Sequence, residues 1–344
     1  MLILTLIACQ PADRFFVVDN FNPGIELSED SVADSYAFGS DLHYTVNESA
    51  HWGRRADLRG FTLVSSDPAV ISISSAMSSV DTVDAEAQAV GAGTASLLVL
   101  DDTGATVHEV QVEVAVPDAV TLTSKLAIDV GSGFVPGTPQ KILVGSYSAF
   151  EAEFSASGRG LAAHEVLGAA GGDTLAVQVE DSTLWEDREW MSVWPTLSGT
   201  QSVSVLAAGS PISDVAFDAV AVEQIVGLQV VGNVTGAGMD GTVVVGAVGV
   251  DASGAMVLGV SPTWVLPDGT EWVGDELSFE PDASIAPVTL TVRFGTVETE
   301  VSIAGRPTGT LSSSTIGCAS VGGSPAVWLG VAGLFAIAGR RRRA

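Results

Sequence analysis

The side chains best equipped for contact chemistry lie in one stretch, Asp181-Ser182-Thr183-Leu184-Trp185-Glu186-Asp187-Arg188-Glu189-Trp190-Met191-Ser192-Val193-Trp194, with three Trp and four acids in fourteen residues. Aromatic rings stack on sugar faces, and carboxylates accept hydrogen bonds from sugar hydroxyls. Trp185, Glu186 and Asp187 are therefore the candidate ligand contacts. Trp190 and Trp194 share parity on a strand, which predicts one common face turned to the core, with Trp185 on the opposite parity and exposed. Other chemistry finds little support. The four histidines, His43, His51, His108 and His164, show no zinc spacing. There is no nucleophile elbow, phosphate loop or dinucleotide fingerprint, and nothing else in the chain backs a paired-carboxylate glycosidase site. Asp101-Asp102 and the group Asp81, Asp84 and Glu86 offer hard oxygen ligands for Ca²⁺. They lack the twelve-position loop spacing, and Asp in a hairpin turn has a local reason to be there. The expectation is a non-enzyme with no obligate cofactor, with Ca²⁺ as the one ion the acids would suit.

Charge narrows the partners. The chain has 344 residues and a formal charge of −27. Four of its 14 basic residues form one block, Arg340, Arg341, Arg342 and Arg343, and no acid follows Glu300. Residues 10–306 thus set 41 acids against ten bases, a net of −31. Such a body stays soluble, repels nucleic acid and anionic membranes, and attracts cations. An apolar content of 47% with only 16% charged residues argues against global disorder.

The two ends read as addresses. Val321 to Gly339 is a nineteen-residue stretch without charge, followed by the four arginines. At about 1.5 Å per residue it reaches across a hydrocarbon layer of about 30 Å, with the arginines as a cytoplasmic stop. Gly317-Cys318, a short apolar helix and a terminal Arg run resemble the MYXO-CTERM type of sorting signal of myxobacterial surface proteins. The resemblance implies cleavage by an envelope membrane protease near Cys318 and use of that cysteine in surface attachment. At the other end, Leu6-Ile7-Ala8-Cys9 closes an apolar run and resembles a bacterial lipobox, which implies lipidation of Cys9 after export. No basic residues precede the run, so either the true start lies upstream or the segment is a truncated export signal.

Between the ends the pattern is that of strands. Val110, Val112, Val114 and Val116 alternate with Gln111, Glu113 and Ala115; Leu290, Val292 and Phe294 alternate with Thr289, Thr291 and Arg293. Period-two alternation places one face on a core and the other in water. Asp101-Asp102-Thr103-Gly104, Ala156-Ser157-Gly158, Asp251-Ala252-Ser253-Gly254 and Pro267-Asp268-Gly269 mark turns. No helical periodicity persists outside the C-terminal stretch; the one amphipathic candidate, Ala216 to Val226, fits a strand as well. Paired strands recur over Thr94–Val116, Gln201–Val222 and Pro287–Ala304, a period suited to immunoglobulin-sized sandwiches.

Val64-Ser65-Ser66-Asp67-Pro68-Ala69-Val70-Ile71-Ser72-Ile73, followed by Ala89-Val90-Gly91-Ala92-Gly93-Thr94, resembles the bacterial Ig-like group 2 domain. Pro68 fixes the strand start, and Gly91 and Gly93 permit backbone angles closed to other residues. Trp264 is a candidate for the buried tryptophan of a third sandwich. The expected fold class is all-β, tandem immunoglobulin-like sandwiches plus a C-terminal hydrophobic helix. The expected organisation is a signal or lipobox segment at 1–9, Ig-like units at 10–117, 118–223 and 224–305, a linker at 306–317 and a sorting signal at 318–344. The expected function is a non-catalytic acidic stalk or adhesin exported to the cell envelope, at the outer-membrane surface of a Gram-negative cell by its signals, with matrix, glycan or protein ligands and no nucleic acid; the alternative is glycan binding through the Trp-rich loop.

Overall fold

The structure is a computed structural model that describes residues 15–19, 35–49, 57–131, 137–180, 189–232, 243–279 and 287–303. Cys9, Cys318, Arg340, Arg341, Arg342, Arg343, Trp185, Glu186 and Asp187 lie outside the described residues, as does the proposed C-terminal helix. Among the described residues the chain is almost entirely strand, and no helix is long and apolar enough to cross a membrane.

Eight strands build the first sandwich: β1 (Phe15–Asp19), β2 (Ser35–Ala37), β3 (Asp41–Ser49), β4 (Thr62–Ser65), β5 (Ile71–Ser78), β6 (Thr82–Ala89), β7 (Gly93–Leu100) and β8 (Thr106–Ala115). One sheet runs β1-β3-β6-β5 and the other β2-β8-β7-β4, with β2 parallel to β8. Alternation fills the space between them. Val83, Ala85, Ala87 and Ala89 of β6 and Ala95, Leu97 and Val99 of β7 are buried, with Tyr36 and Tyr44 meeting edge to face at 6.4 Å.

The second sandwich repeats that order with β9 (Ala119–Ser124), helix α1 (Lys125–Val130), β10 (Gln140–Leu143), β11 (Ser148–Ala156), β12 (Arg159–Leu161), β13 (Leu167–Ala170), β14 (Leu175–Glu180), β15 (Glu189–Pro195), β16 (Gly199–Ala207) and β17 (Ser210–Val220). One sheet runs β9-β11-β15-β14, with β12 following β15 along the same edge of β11. The other runs β13-β16-β17-β10, with β10 parallel to β17. Phe150 and Phe217 meet in its core at 5.2 Å.

The third comprises β18 (Ile225–Gly232), β19 (Val243–Asp251), β20 (Met256–Leu258), β21 (Thr263–Val265), β22 (Glu271–Val273), β23 (Glu276–Phe279), β24 (Val288–Phe294) and β25 (Val297–Ile303). β18, β19 and β23 face a sheet of order β22-β21-β24-β25. Trp264 is fully buried there, and its indole N–H donates to the Gly274 carbonyl at 2.8 Å.

Three local expectations need correction. Residues 125–130 form a helix, capped by Ser124, whose side chain accepts from the Ala127 N–H, and closed by Gly131 at φ +66°. Six residues are too few to raise a helical period above the strand pattern around them. Gly91 is required by proximity rather than by backbone angle, since a Cβ there would sit 2.2 Å from the Ala69 carbonyl oxygen. Gly93 does occupy φ +148°. Ala216 to Val226 divides into the end of β17, a 3₁₀ turn at Val222–Gln224 and the start of β18.

Trp264→Ala removes the largest core side chain of the third sandwich and strands the Gly274 carbonyl. It is expected to cost about 3–5 kcal/mol in urea denaturation, and Trp264→Phe, which keeps most of the ring volume, clearly less.

Candidate functional site: two main-chain joints and an outward aromatic face

Successive sandwiches are sewn together by main chain, in the same way at both seams. β2 lies parallel to β8 of its own sandwich, with Tyr36 opposite Val114. On its other edge Tyr36 pairs, again in parallel, with Ala162 of the next sandwich. The Ala37 N–H donates to the Ala162 carbonyl at 2.8 Å, and the Ala162 N–H donates to the Ser35 carbonyl at 3.0 Å. At the second seam β10 is held between β17 and β20, both parallel to it, with Ile142 opposite Ala219 and Leu258. In each case the incoming strand is the return arm of the hairpin that follows the central strand of the next sandwich: β11 to β12, and β19 to β20.

The corner after each shared strand is also the same. Phe38 N–H donates to Ala115 O and Val144 N–H to Val220 O, at 2.8 and 2.9 Å. Gly39 N–H reaches Ala89 O, and Gly145 N–H reaches Pro195 O, at 2.8 and 2.7 Å. Ser40 and Ser146 N–H groups close back on Ala37 O and Leu143 O, both at 3.2 Å. Gly39 and Gly145 sit at φ +91° and +76°, where a side chain would be strained. This joint escapes a reading based on strand alternation. Its one sequence signal is Phe38-Gly39-Ser40 recurring as Val144-Gly145-Ser146, 106 positions on.

Local chemistry shapes the two hairpins. Ser157 and Gly158 take φ +52° and +78°, the pair of positive values that a two-residue hairpin turn needs. Asp251 closes the other turn: its Oδ1 accepts from the Ser253 N–H at 2.9 Å, the Ser253 hydroxyl at 2.6 Å and the Ala255 N–H at 3.0 Å. Asp101 does the same for Thr103 and Ala105. Asp84 is likewise engaged by the hydroxyls of Thr45 and Thr82. Among the described residues no three His, Cys, Asp or Glu side chains gather as a metal site would require.

Every Lys and Arg among the described residues is ion-paired, and two of these pairs cross the seams. Arg159 reaches Glu113 at 2.5 Å across the first, and Lys141 reaches Asp251 at 2.5 Å across the second. Lys141 and the Ser253 hydroxyl hold the Asp251 carboxyl well below the usual range, and Arg159 lowers that of Glu113.

The Trp-rich strand corrects an expectation. Met191 and Val193 of β15 are the residues in the core, both fully buried, whereas Trp190 and Trp194 lie half-buried on the outer face. They share a face as their spacing requires, but the opposite one, because Met191 and Val193 are the apolar pair that meets the facing sheet. Trp194 packs against Tyr147 with ring centroids 5.2 Å apart and planes tilted by 51°. Trp190 lies in register between Glu151 of β11 and Glu180 of β14. The Tyr147 and Ser192 hydroxyls both donate to Glu180, at 3.0 and 2.5 Å. Aromatic planes and a held carboxylate thus stand together on this face.

Next to it, where β15 gives way to β12, a recess of about 370 Å³ is lined by Glu151, Glu153, Glu189, Leu161 and their neighbours. Glu189 is 2% exposed and accepts from the Val166 N–H at 2.8 Å; burial raises its carboxyl, opposed by that bond.

Two pH effects of opposite sign follow. The Asp251 contribution is fully present above the unfolded aspartate value of about 3.9 and is lost as pH falls below it. Lys141→Met should therefore lower stability at pH 7 and flatten the acid limb of a stability–pH curve. The raised Glu189 disfavours the fold at neutral pH and ceases to do so as pH falls toward its unfolded value of about 4.3. Glu189→Gln, which retains an acceptor for Val166, is expected to stabilise the protein at pH 7 in urea denaturation, with the difference from wild type vanishing toward pH 4.

No family model and no curated protein sequence matches the chain. Among solved structures it is similar to surface layer protein SbsC, domains 4–9, at 16% identity and a TM-score of 0.32, covering 77% of this chain and 42% of that one. It is similar to FdeC, an Escherichia coli adhesin, at 13% identity and a TM-score of 0.26, covering 86% and 97%. It is also similar to invasin, a bacterial integrin-binding protein, at 12% identity and a TM-score of 0.26, covering 80% and 58%.

Proposed function

We propose that this chain is a non-catalytic, exported stalk or adhesive spacer on a bacterial surface, built of tandem immunoglobulin-type sandwiches. The observation that carries the reading is the repeated joint. Main-chain hydrogen bonds run through both seams, so the sandwiches form a continuous load path rather than beads on free linkers. Strand orders β1-β3-β6-β5 and β9-β11-β15-β14, each opposed by a sheet with a parallel edge strand, support the immunoglobulin-type assignment. The acidic surplus supports an exposed, solvated setting, because the cations among the described residues are all neutralised locally and leave a large excess of carboxylates.

The addresses complete the proposal. Cys9 is a lipidation site, and the segment from Cys318 through Arg340, Arg341, Arg342 and Arg343 is a sorting tail removed by an envelope protease. The first sandwich is a bacterial Ig-like group 2 domain. Shaving intact cells with protease, with mass spectrometry of the mature protein, tests this. Peptides from the sandwiches should be released from whole cells, and the mature chain should end near Cys318. An intact arginine tail on surface-exposed protein would sink the sorting-tail assignment, and an unmodified Cys9 the lipidation.

The outward turn of Trp190 and Trp194 favours a second reading, recognition of glycan by this face together with Trp185, Glu186 and Asp187. Binding on a glycan array that Trp194→Ala abolishes, with the fold kept, is its expected signature; silence across the array leaves the spacer role alone.

A further inference from the structure

The two joints share their hydrogen bonds but not their side chains. At the first, the positions around the shared strand are Ala37, Ala115 and Ala162. The corner glycine, Gly39, lies so close to Ala208 of the next sandwich that a Cβ on it would come within 2.5 Å. At the second, the equivalent positions are Leu143, Val220 and Leu258. Leu143 and Val220 belong there to an apolar cluster of their own with Ile225, Val257 and Val260, against which Phe294 packs.

Helix α1 adds a contact that has no counterpart at the first seam among the described residues. Leu126 and Val130 lie over Gly232 and Gly246 of the third sandwich, where a Cβ on Gly246 would come within 2.5 Å of Leu126. The core of the second sandwich continues through Leu126 and Val130 into Val231, Val248 and Leu258 of the third. The ion pairs differ in the same sense. Lys141 and Asp251 are 24% and 12% exposed, whereas Arg159 and Glu113 are 52% and 39% exposed.

The first seam also buries its shared strand, with Ala37 in the core of the second sandwich, but its alanines bury less apolar surface than Leu143, Val220 and Leu258, and it is buried apolar surface that makes the opening of a seam cooperative with the core. We infer that, of the two joints among the described residues, the alanine-lined first one is the hinge, and that the second and third sandwiches move and open as a single body. This goes beyond the spacer role and holds whether or not the chain stands on a cell surface.

Site-resolved hydrogen exchange on the full chain tests it. The amides of Ala37 and Ala162 should exchange at least about tenfold faster than those of Leu143 and Leu258, the positions equivalent in register. Equal protection at the two joints, or the reverse order, overturns the inference. A second measurement uses the double variant Leu143→Ala, Leu258→Ala, which gives the second joint the side chains of the first. Exchange there should rise toward that of the first joint while the Phe38 and Val144 amides, bonded within their own sandwiches, stay protected. Unchanged exchange at the second joint of the folded variant also overturns the inference. If the variant does not fold, the comparison within the native chain decides.

Discussion

Strands β2 and β10 each have hydrogen-bonded neighbours on both edges, one from their own sandwich and one from the next. That double commitment is the constraint on which the rest of the molecule depends. A strand at the edge of an isolated sandwich presents unpaired N–H and C=O groups, and proteins ordinarily blunt such edges with charge or a bulge. Here the edge is satisfied by the following sandwich instead. The hairpins β11–β12 and β19–β20 exist in the form they do because their return arms must reach that edge, and Gly39 and Gly145 turn the chain away immediately afterwards.

Electrostatics follows the same geometry. Among the described residues each cation is paired with a carboxylate, and two of these pairs serve the seams. Their contribution differs with exposure, because solvent and salt screen Arg159–Glu113 more than Lys141–Asp251. The buried Glu189 runs against this order. It is tolerated because the Val166 N–H faces it, and it places a raised carboxyl beside the aromatic face of the second sandwich.

Much of the strand content was legible because alternation is a local property. Val112 and Val114 mark the inner face of β8 and Leu290 and Val292 that of β24, and the Asp-x-Thr/Ser-Gly turns announce their hairpins. The joints were not legible in that way. Parallel pairing between Tyr36 and Ala162, or Ile142 and Leu258, joins residues more than a hundred positions apart and leaves no periodic trace. Parity put Trp190 and Trp194 on one face but could not say which, because the decision rests with Met191, Val193 and the sheet opposite. The terminal signals and the Trp185 loop rest on sequence resemblance and composition alone.

The parallel setting of β10 has a consequence for how the molecule is made. Its neighbour β17 begins at Ser210 and its other neighbour β20 at Met256, so during synthesis from the N-terminus β10 must wait for both. Until residue 258 has emerged, a completed second sandwich would carry an open strand edge and the uncovered apolar side chains of Leu143 and Val220. The same side chains that close the second seam in the finished protein are, for that interval, the place where a nascent chain is most exposed to pairing with the wrong neighbour.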